Sequence, residues 1–257
     1  MRIKVVACEV VARELYWCAA RSPNAVNITL LPQGLHNSPE MLRERLQAEI
    51  EAVDPDRYGA IVVGFGLCSN SLDGIRAGRL PLIVPRAHDC ITLLLGSKER
   101  YAEMFSEAAG TYWFSAGWID SRKPGEDLPE QSPDGGAGPG CAKRYEELVA
   151  KYGEDNAKYL VEVMDGWEGR YTRGALVEFP FDGSLGLREK VREICESKDW
   201  EMMPVRGDLS LLEAGLDGPW DDERFLTVWP GQTIRACHDA AILRAEAVGP
   251  DRQETPA

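Results

Sequence analysis

Arg86, His88, Asp89 and Cys90 crowd into five residues directly behind the apolar run "LPLIV". The chain has only three histidines and seven cysteines, so an imidazole and a thiol one residue apart are a chemically dense spot. Cys8 and Glu9 follow another apolar run, "IKVVA", and Cys68, Ser69 and Asn70 follow a third, "AIVVGFGL". Three thiolates with one imidazole form a zinc ligand set, and three thiolates alone can hold an iron–sulfur cluster with one iron left open. The expected metal ligands are therefore Cys8, Cys68, His88 and Cys90. Glu9 and Asp89 stand beside them as base or ligand-orienting carboxylates, and Arg86 with Asn70 suits a carboxylate-bearing substrate. The alternative for a cysteine at a strand end is a small core residue, because unpaired cysteine is among the most buried residue types. For Cys18 and Cys195, on apolar helix faces, that reading is preferred, and Cys141 is read as incidental.

These residues meet only if the runs before them are neighbouring strands. "IKVVAC" (3–8) reads as a strand followed by a helix over 9–20. "VNITLLP" (26–32) is a second strand, and a helix starts at Ser38 with Pro39 in its first turn. "YGAIVVGFG" (58–66) is β-branched and continuous, the pattern of a strand buried on both faces. A short helix is expected over 71–78, a strand over 80–86, a helix from Ser97 and a strand over 111–118. Further strands are expected at "RGALVEFP", "WEMMPVRG" and "RFLTVWPG", with helices at "GLREKVREICESK" and "DLSLLEAGL". This alternation predicts an α/β fold: parallel, doubly wound, Rossmann-like sheet with helices on both faces. In such sheets ligands bind beyond the carboxyl ends of the strands, where Cys8, Glu9, Cys68, Asn70, Arg86, His88, Asp89 and Cys90 fall.

The expected organisation is an N-terminal α/β half (1–120) carrying the site, a flexible Pro/Gly/acid-rich loop (121–140) and connecting helices (141–170). A C-terminal α/β half (171–243) and a polar, frayed tail (244–257) follow. "RACHD" (235–239) is expected at the surface or at a helix start. At 257 residues, 44% hydrophobic and 28% charged, the chain has an ordinary globular composition. Its net charge of −13 argues against nucleic acid and anionic membranes as partners but leaves room for a small anionic substrate in a local basic pocket. No apolar run has the length of a membrane span. "VVAC" resembles a lipoprotein cleavage box, yet the apolar run before Cys8 is too short for a signal segment, so a cytoplasmic location is expected. Seven cysteines without framework spacing then point to free thiols or metal ligands.

A second motif overlaps the first. "GFGLCS" nearly matches the dinucleotide fingerprint G-x-G-x-x-G, with Ser69 in place of the third glycine, and Asp89 lies where a ribose-binding acid belongs. Gly64, Gly66, Ser69, Asn70 and Arg86 are thus candidate cofactor- or anion-binding residues.

The segments "ACEV", "GFGLCSNS", "PRAHDCITLLLGSKERY", "GTYWFSAGW" and "YGEDNAKYL" together resemble a bacterial and archaeal domain-of-unknown-function family, number 1638, from Cys8 to about Trp229. The resemblance implies one site built from Cys8, Cys68, His88 and Cys90, and a setting beside corrinoid-dependent methyl-transfer systems. It supplies no reaction. The expectation is a zinc- or iron–sulfur-dependent enzyme of anaerobic one-carbon, methyl-transfer or thiol metabolism, with a corrinoid protein or methyltransferase as partner. The alternatives are a nucleotide- or small-cofactor-binding enzyme using the Gly64–Gly66 loop, and a non-catalytic metal or corrinoid accessory protein.

Overall fold

The computed structural model describes residues 1–68, 70–107, 110–121, 171–237 and 239–248. Residues 122–140 of the expected loop 121–140, the connecting helices 141–170, Cys141, Ser69, His238 and the end of the tail lie outside the described residues.

Four strands make a parallel sheet: β1 (Arg2–Cys8), β2 (Ala25–Leu31), β3 (Ala60–Gly64) and β4 (Leu82–Pro85). A fifth, β8 (Phe225–Val228), pairs antiparallel to β4 at the edge, giving the order β2-β1-β3-β4-β8. Alternate side chains explain why β3 reads as a continuous apolar run and β1 as one interrupted at Lys4. Ile3, Val5 and Ala7 with Ala60 and Val62 enter one core, while Val6 and Cys8 with Ile61 and Val63 enter the core on the opposite face. Helix α2 (Pro39–Glu51) covers the second face with Leu42, Leu46 and Ile50 at i, i+4, i+8 spacing. Helices α1 (Ala12–Ala19) and α3 (Cys90–Leu95) cover the first face. The arrangement is Rossmann-like.

A second, wholly parallel sheet contains β5 (Thr111–Phe114), β6 (Arg173–Glu178) and β7 (Glu201–Arg206) in that order. It joins the same two cores: Ala175, Val177 and Val205 pack with the α1 face, and Tyr112, Phe114 and Leu176 with the α2 face. Helix α4 (Lys98–Glu107) precedes this sheet, α5 (Ala116–Asp120) follows β5, and α6 (Leu187–Ser197) links β6 to β7. Cys18 and Cys195 are buried core thiols. Helix α7 (Ser210–Asp217) returns to the first sheet and buries Leu211, Leu212 and Leu216 beside α1.

Four local expectations are corrected. The stretch 71–78 is turn and extended chain, because its backbone bonds go to β9 (Gln232–Ala236). Gly74 N donates to the Ile234 carbonyl, Ile234 N to Ile75, and Ala77 N to Gln232, at 2.8–3.0 Å. Arg235 and Ala236, the start of "RACHD", close that strand with Arg235 at the surface as expected, whereas Arg244–Ala247, expected to fray, belong to β10 (Leu243–Ala247), paired antiparallel to β9. The strand expected over 111–118 stops at Phe114, where the Ser115 hydroxyl accepts from Trp118 N and starts α5. The helix expected over 9–20 begins with a 3₁₀ turn at Glu9–Val11.

Candidate functional site

The strand order places the site. From β1 the chain steps outward to β2, and it then returns to β3 on the other side of β1. The carboxyl ends of β1 and β3 therefore flank the topological switch point, the crevice in which open α/β sheets bind ligands. Cys8 ends β1, Cys68 lies four residues beyond β3, and Cys90 opens α3 just beyond β4.

The three thiols are neighbours. Cys90 is coupled to both Cys8 and Cys68, so it stands between them. The neighbouring Cys90 thiol is the largest cause raising the Cys8 thiol well above its ordinary pKa, with burial next; the Cys68 thiol leads for Cys90, which is also well raised. Cys8 is 5% exposed, while Cys68 and Cys90 are half-buried. Among the described residues, no group of three or more His, Cys, Asp or Glu side chains stands in an arrangement ready to hold a metal ion.

The loop carrying Cys68 is tightly built. Leu67 N donates to the Ala87 carbonyl at 2.8 Å and Cys68 N to the His88 carbonyl at 2.9 Å, lacing the β3 and β4 exits together. The Cys68 carbonyl accepts from both Ser71 N (3.1 Å) and the Ser71 hydroxyl (2.6 Å). Cys68 (φ 43°) and Asn70 (φ 65°) both adopt the left-handed region, unusual for a residue with a Cβ and worth about 1–2 kcal/mol of strain each. Asn70 is exposed, and its carbonyl accepts from Arg43 Nη2 at 3.0 Å.

Both glycines of the apparent dinucleotide fingerprint face protein. A Cβ on Gly66 would stand 2.5 Å from the Asp89 backbone, and one on Gly64 would stand 2.5 Å from Ala7 Cβ. Turns rather than a helix follow them, so the backbone does not present a helix N-terminus to a phosphate here.

Asp89 is the N-cap of α3. Its Oδ1 accepts from Thr92 N (3.0 Å) and its Oδ2 from the Tyr101 hydroxyl (2.9 Å), so both oxygens hold the turn that presents Cys90. Burial raises the Tyr101 phenol, and the Asp89 charge adds to it. His88 is exposed and faces Tyr101 with ring centroids 6.0 Å apart. Glu9 Oε1 accepts from Gln33 N at 2.6 Å, tying the exit of β1 to that of β2. His36, in the same turn, donates Nδ1–H to the Gln33 carbonyl, and burial lowers its pKa. Arg86 donates to the carbonyls of Asp222 (2.8 Å), Ala241 (2.7 Å) and Leu243 (2.5 Å), fastening the β9–β10 hairpin to the first sheet.

Sequence reading missed Tyr101 and Ser71. Tyr101 lies beyond the break at Gly96 and has no motif of its own; Ser71 sat in a stretch read as helix. It also passed over Glu14, which the helical spacing Val10–Glu14–Cys18 places on the buried face of α1.

No curated protein and no solved structure matches the chain. No described helix is long and apolar enough to cross a membrane. A family profile described as "Protein of unknown function (DUF1638)" matches residues 30–216. The matched region includes Cys68, His88 and Cys90 and starts after Cys8. A match over most of the chain, on a Rossmann-like α/β fold, makes this protein a member of the DUF1638 family of proteins of unknown function.

Proposed function

We propose that Cys8, Cys68 and Cys90 form a soft-metal centre, zinc or an iron–sulfur cluster, serving methyl-transfer or thiol chemistry on a small anionic substrate. One observation carries the reading: thiols from three strand exits lie close enough at the topological switch point to shift one another's titration. Packing alone gives no reason for three thiols to converge there, or for one of them to sit in a left-handed turn. Sulfurs bound tetrahedrally to one zinc at ~2.3 Å lie about 3.8 Å apart, a spacing compatible with neighbouring thiols. A cation would draw off the thiol protons and bind all three sulfurs as thiolates.

When bound, such a centre keeps a substrate thiol nucleophilic as a methyl acceptor, or through an open iron supplies a Lewis acid or electron donor. The chain's own residues then divide the remaining tasks. Asp89 and Tyr101 fix the turn that aims Cys90, and Glu9 fixes the β2 exit. His88 stands exposed beside Tyr101, placed to supply a further ligand or to meet an anionic substrate. The partner implied is a corrinoid protein or a methyltransferase. The described cysteines are all free, which suits a reducing cytoplasm.

Titration of the reduced, metal-stripped protein with Co²⁺ under nitrogen tests the reading. A tetrahedral thiolate–cobalt spectrum saturating at a single equivalent is expected, and it should disappear in Cys68→Ser and Cys90→Ser variants of unchanged circular dichroism. A wild-type protein that binds cobalt without sulfur charge-transfer bands would overturn the proposal.

A further inference from the structure

We propose that Cys68 and Cys90 form a reversible disulfide that closes the thiol centre when a hydroperoxide is present. The inference rests on the reading above in treating the three thiols as one centre, but the bond itself needs no metal.

Three observations select this pair. Cys90 is the thiol coupled to both of the others, Cys68 foremost. The segments carrying the two residues run side by side: Cys68 N is bonded to the His88 carbonyl at 2.9 Å, and Gly66 packs directly on the Asp89 backbone. That lacing holds the two cysteines on adjacent chains, as a disulfide requires. Cys68 and Cys90 are also half-buried, while Cys8 is buried at the end of a central strand. A hydroperoxide therefore meets the turn of Cys68 before it meets Cys8. The Cys68 turn belongs to neither helix nor strand, so its sulfur can adjust without disturbing the sheet.

The chemistry balances in two steps. The Cys68 sulfur attacks the terminal oxygen of the hydroperoxide; an S–O bond forms, the O–O bond breaks, and the alcohol or water fragment leaves with the thiol proton. Sulfur is oxidised by two electrons and the peroxide is reduced. The Cys90 sulfur then attacks the Cys68 sulfur, the S–S bond forms, the S–O bond breaks, and the hydroxyl departs as water with the Cys90 proton. Two thiols and one hydroperoxide thus give one disulfide, one alcohol (or water) and one water. Two of the three sulfurs are then unavailable to a soft cation, so oxidation turns the centre off.

Full-length protein, stripped of metal by a chelator and reduced, is treated with hydrogen peroxide, blocked with N-ethylmaleimide and mapped by non-reducing peptide mass spectrometry. The expected product is a Cys68–Cys90 cross-linked peptide, reversed by dithiothreitol and still formed in Cys195→Ala. In Cys90→Ala, Cys68 should be trapped by dimedone as the sulfenic acid. A wild-type Cys8–Cys90 link, or sulfinic acid at Cys68 without any link, overturns the proposal whether or not the variants fold. Cobalt binding without the disulfide removes this inference alone, and the disulfide without cobalt binding removes only the metal reading.

Discussion

Glu14→Gln should flatten the pH dependence of stability above the acid range. Glu14 is fully buried on α1, and neither carboxyl oxygen has a hydrogen-bond partner among the described residues. Burial is the main cause lifting its pKa from 4.5 to about 7, against its own backbone N–H; Asp182, in the turn after β6, and Asp120, on α5, lift it further, while Arg13 opposes them. The sign follows from linkage. Between 4.5 and about 7 the folded protein holds a proton that the unfolded chain has released, so stability falls as pH rises through that window. Below 4.5 the neutral acid carries no penalty, and above about 7 the full cost applies. At ~1.4 kcal/mol per tenfold change the full cost is about 3 kcal/mol. Of this, about 2 kcal/mol is lost between pH 5.5 and pH 8.5, a range clear of the pI near 4.8. Urea unfolding of wild type and Glu14→Gln at both pH values isolates the effect, because other titrating groups cancel in the difference. With a slope of about 2–3 kcal/mol per molar, the variant's midpoint should gain roughly 0.5–1 M relative to wild type on going to the higher pH. An equal difference between the two proteins at both pH values would refute the reasoning.

Gly66→Ala should cost about 2–3 kcal/mol, because the new Cβ meets the Asp89 backbone at 2.5 Å; Gly34→Ala, with nothing within 4 Å, should stay within about 0.5 kcal/mol by the same unfolding assay. Arg86→Ala should lower stability by about 3 kcal/mol and make the β9–β10 hairpin more sensitive to limited proteolysis, since three backbone carbonyls lose a charged donor. An unchanged thermal midpoint would mean that water replaces the guanidinium there without cost.

The sequence made the first sheet legible because β3 and β4 bury both faces and so read as unbroken apolar runs, and β1 reads as one interrupted by Lys4. That Cys8, Cys68 and Cys90 are neighbours follows from their shared place beyond strand ends, a consequence of parallel topology rather than of any spaced motif. Long-range pairing was not legible. The fate of 71–78 depends on β9, some 160 residues away, which takes the hydrogen bonds a helix would have used. Likewise β8 crosses back to the first sheet as an antiparallel edge, and nothing local to "RFLTV" announces its partner. Arg86 looked like an anion ligand because its acceptors, 136 to 157 residues further on, are backbone carbonyls that no side-chain pattern reveals. Asp89 was visible as an acid near the site, but its capping role needed Thr92 and Tyr101 placed in space.

The central claim, that three strand-exit thiols hold one soft-metal centre, is tested most directly by metal and acid-labile sulfide analysis of full-length protein purified without oxygen. Wild type should carry one zinc ion or one iron–sulfur cluster per chain. Cys68→Ser and Cys90→Ser should lose most of it, because a neutral hydroxyl replaces a thiolate donor, while Cys195→Ser, on the buried face of α6, should retain it. Equal metal content in wild type, Cys68→Ser and Cys90→Ser would contradict the claim.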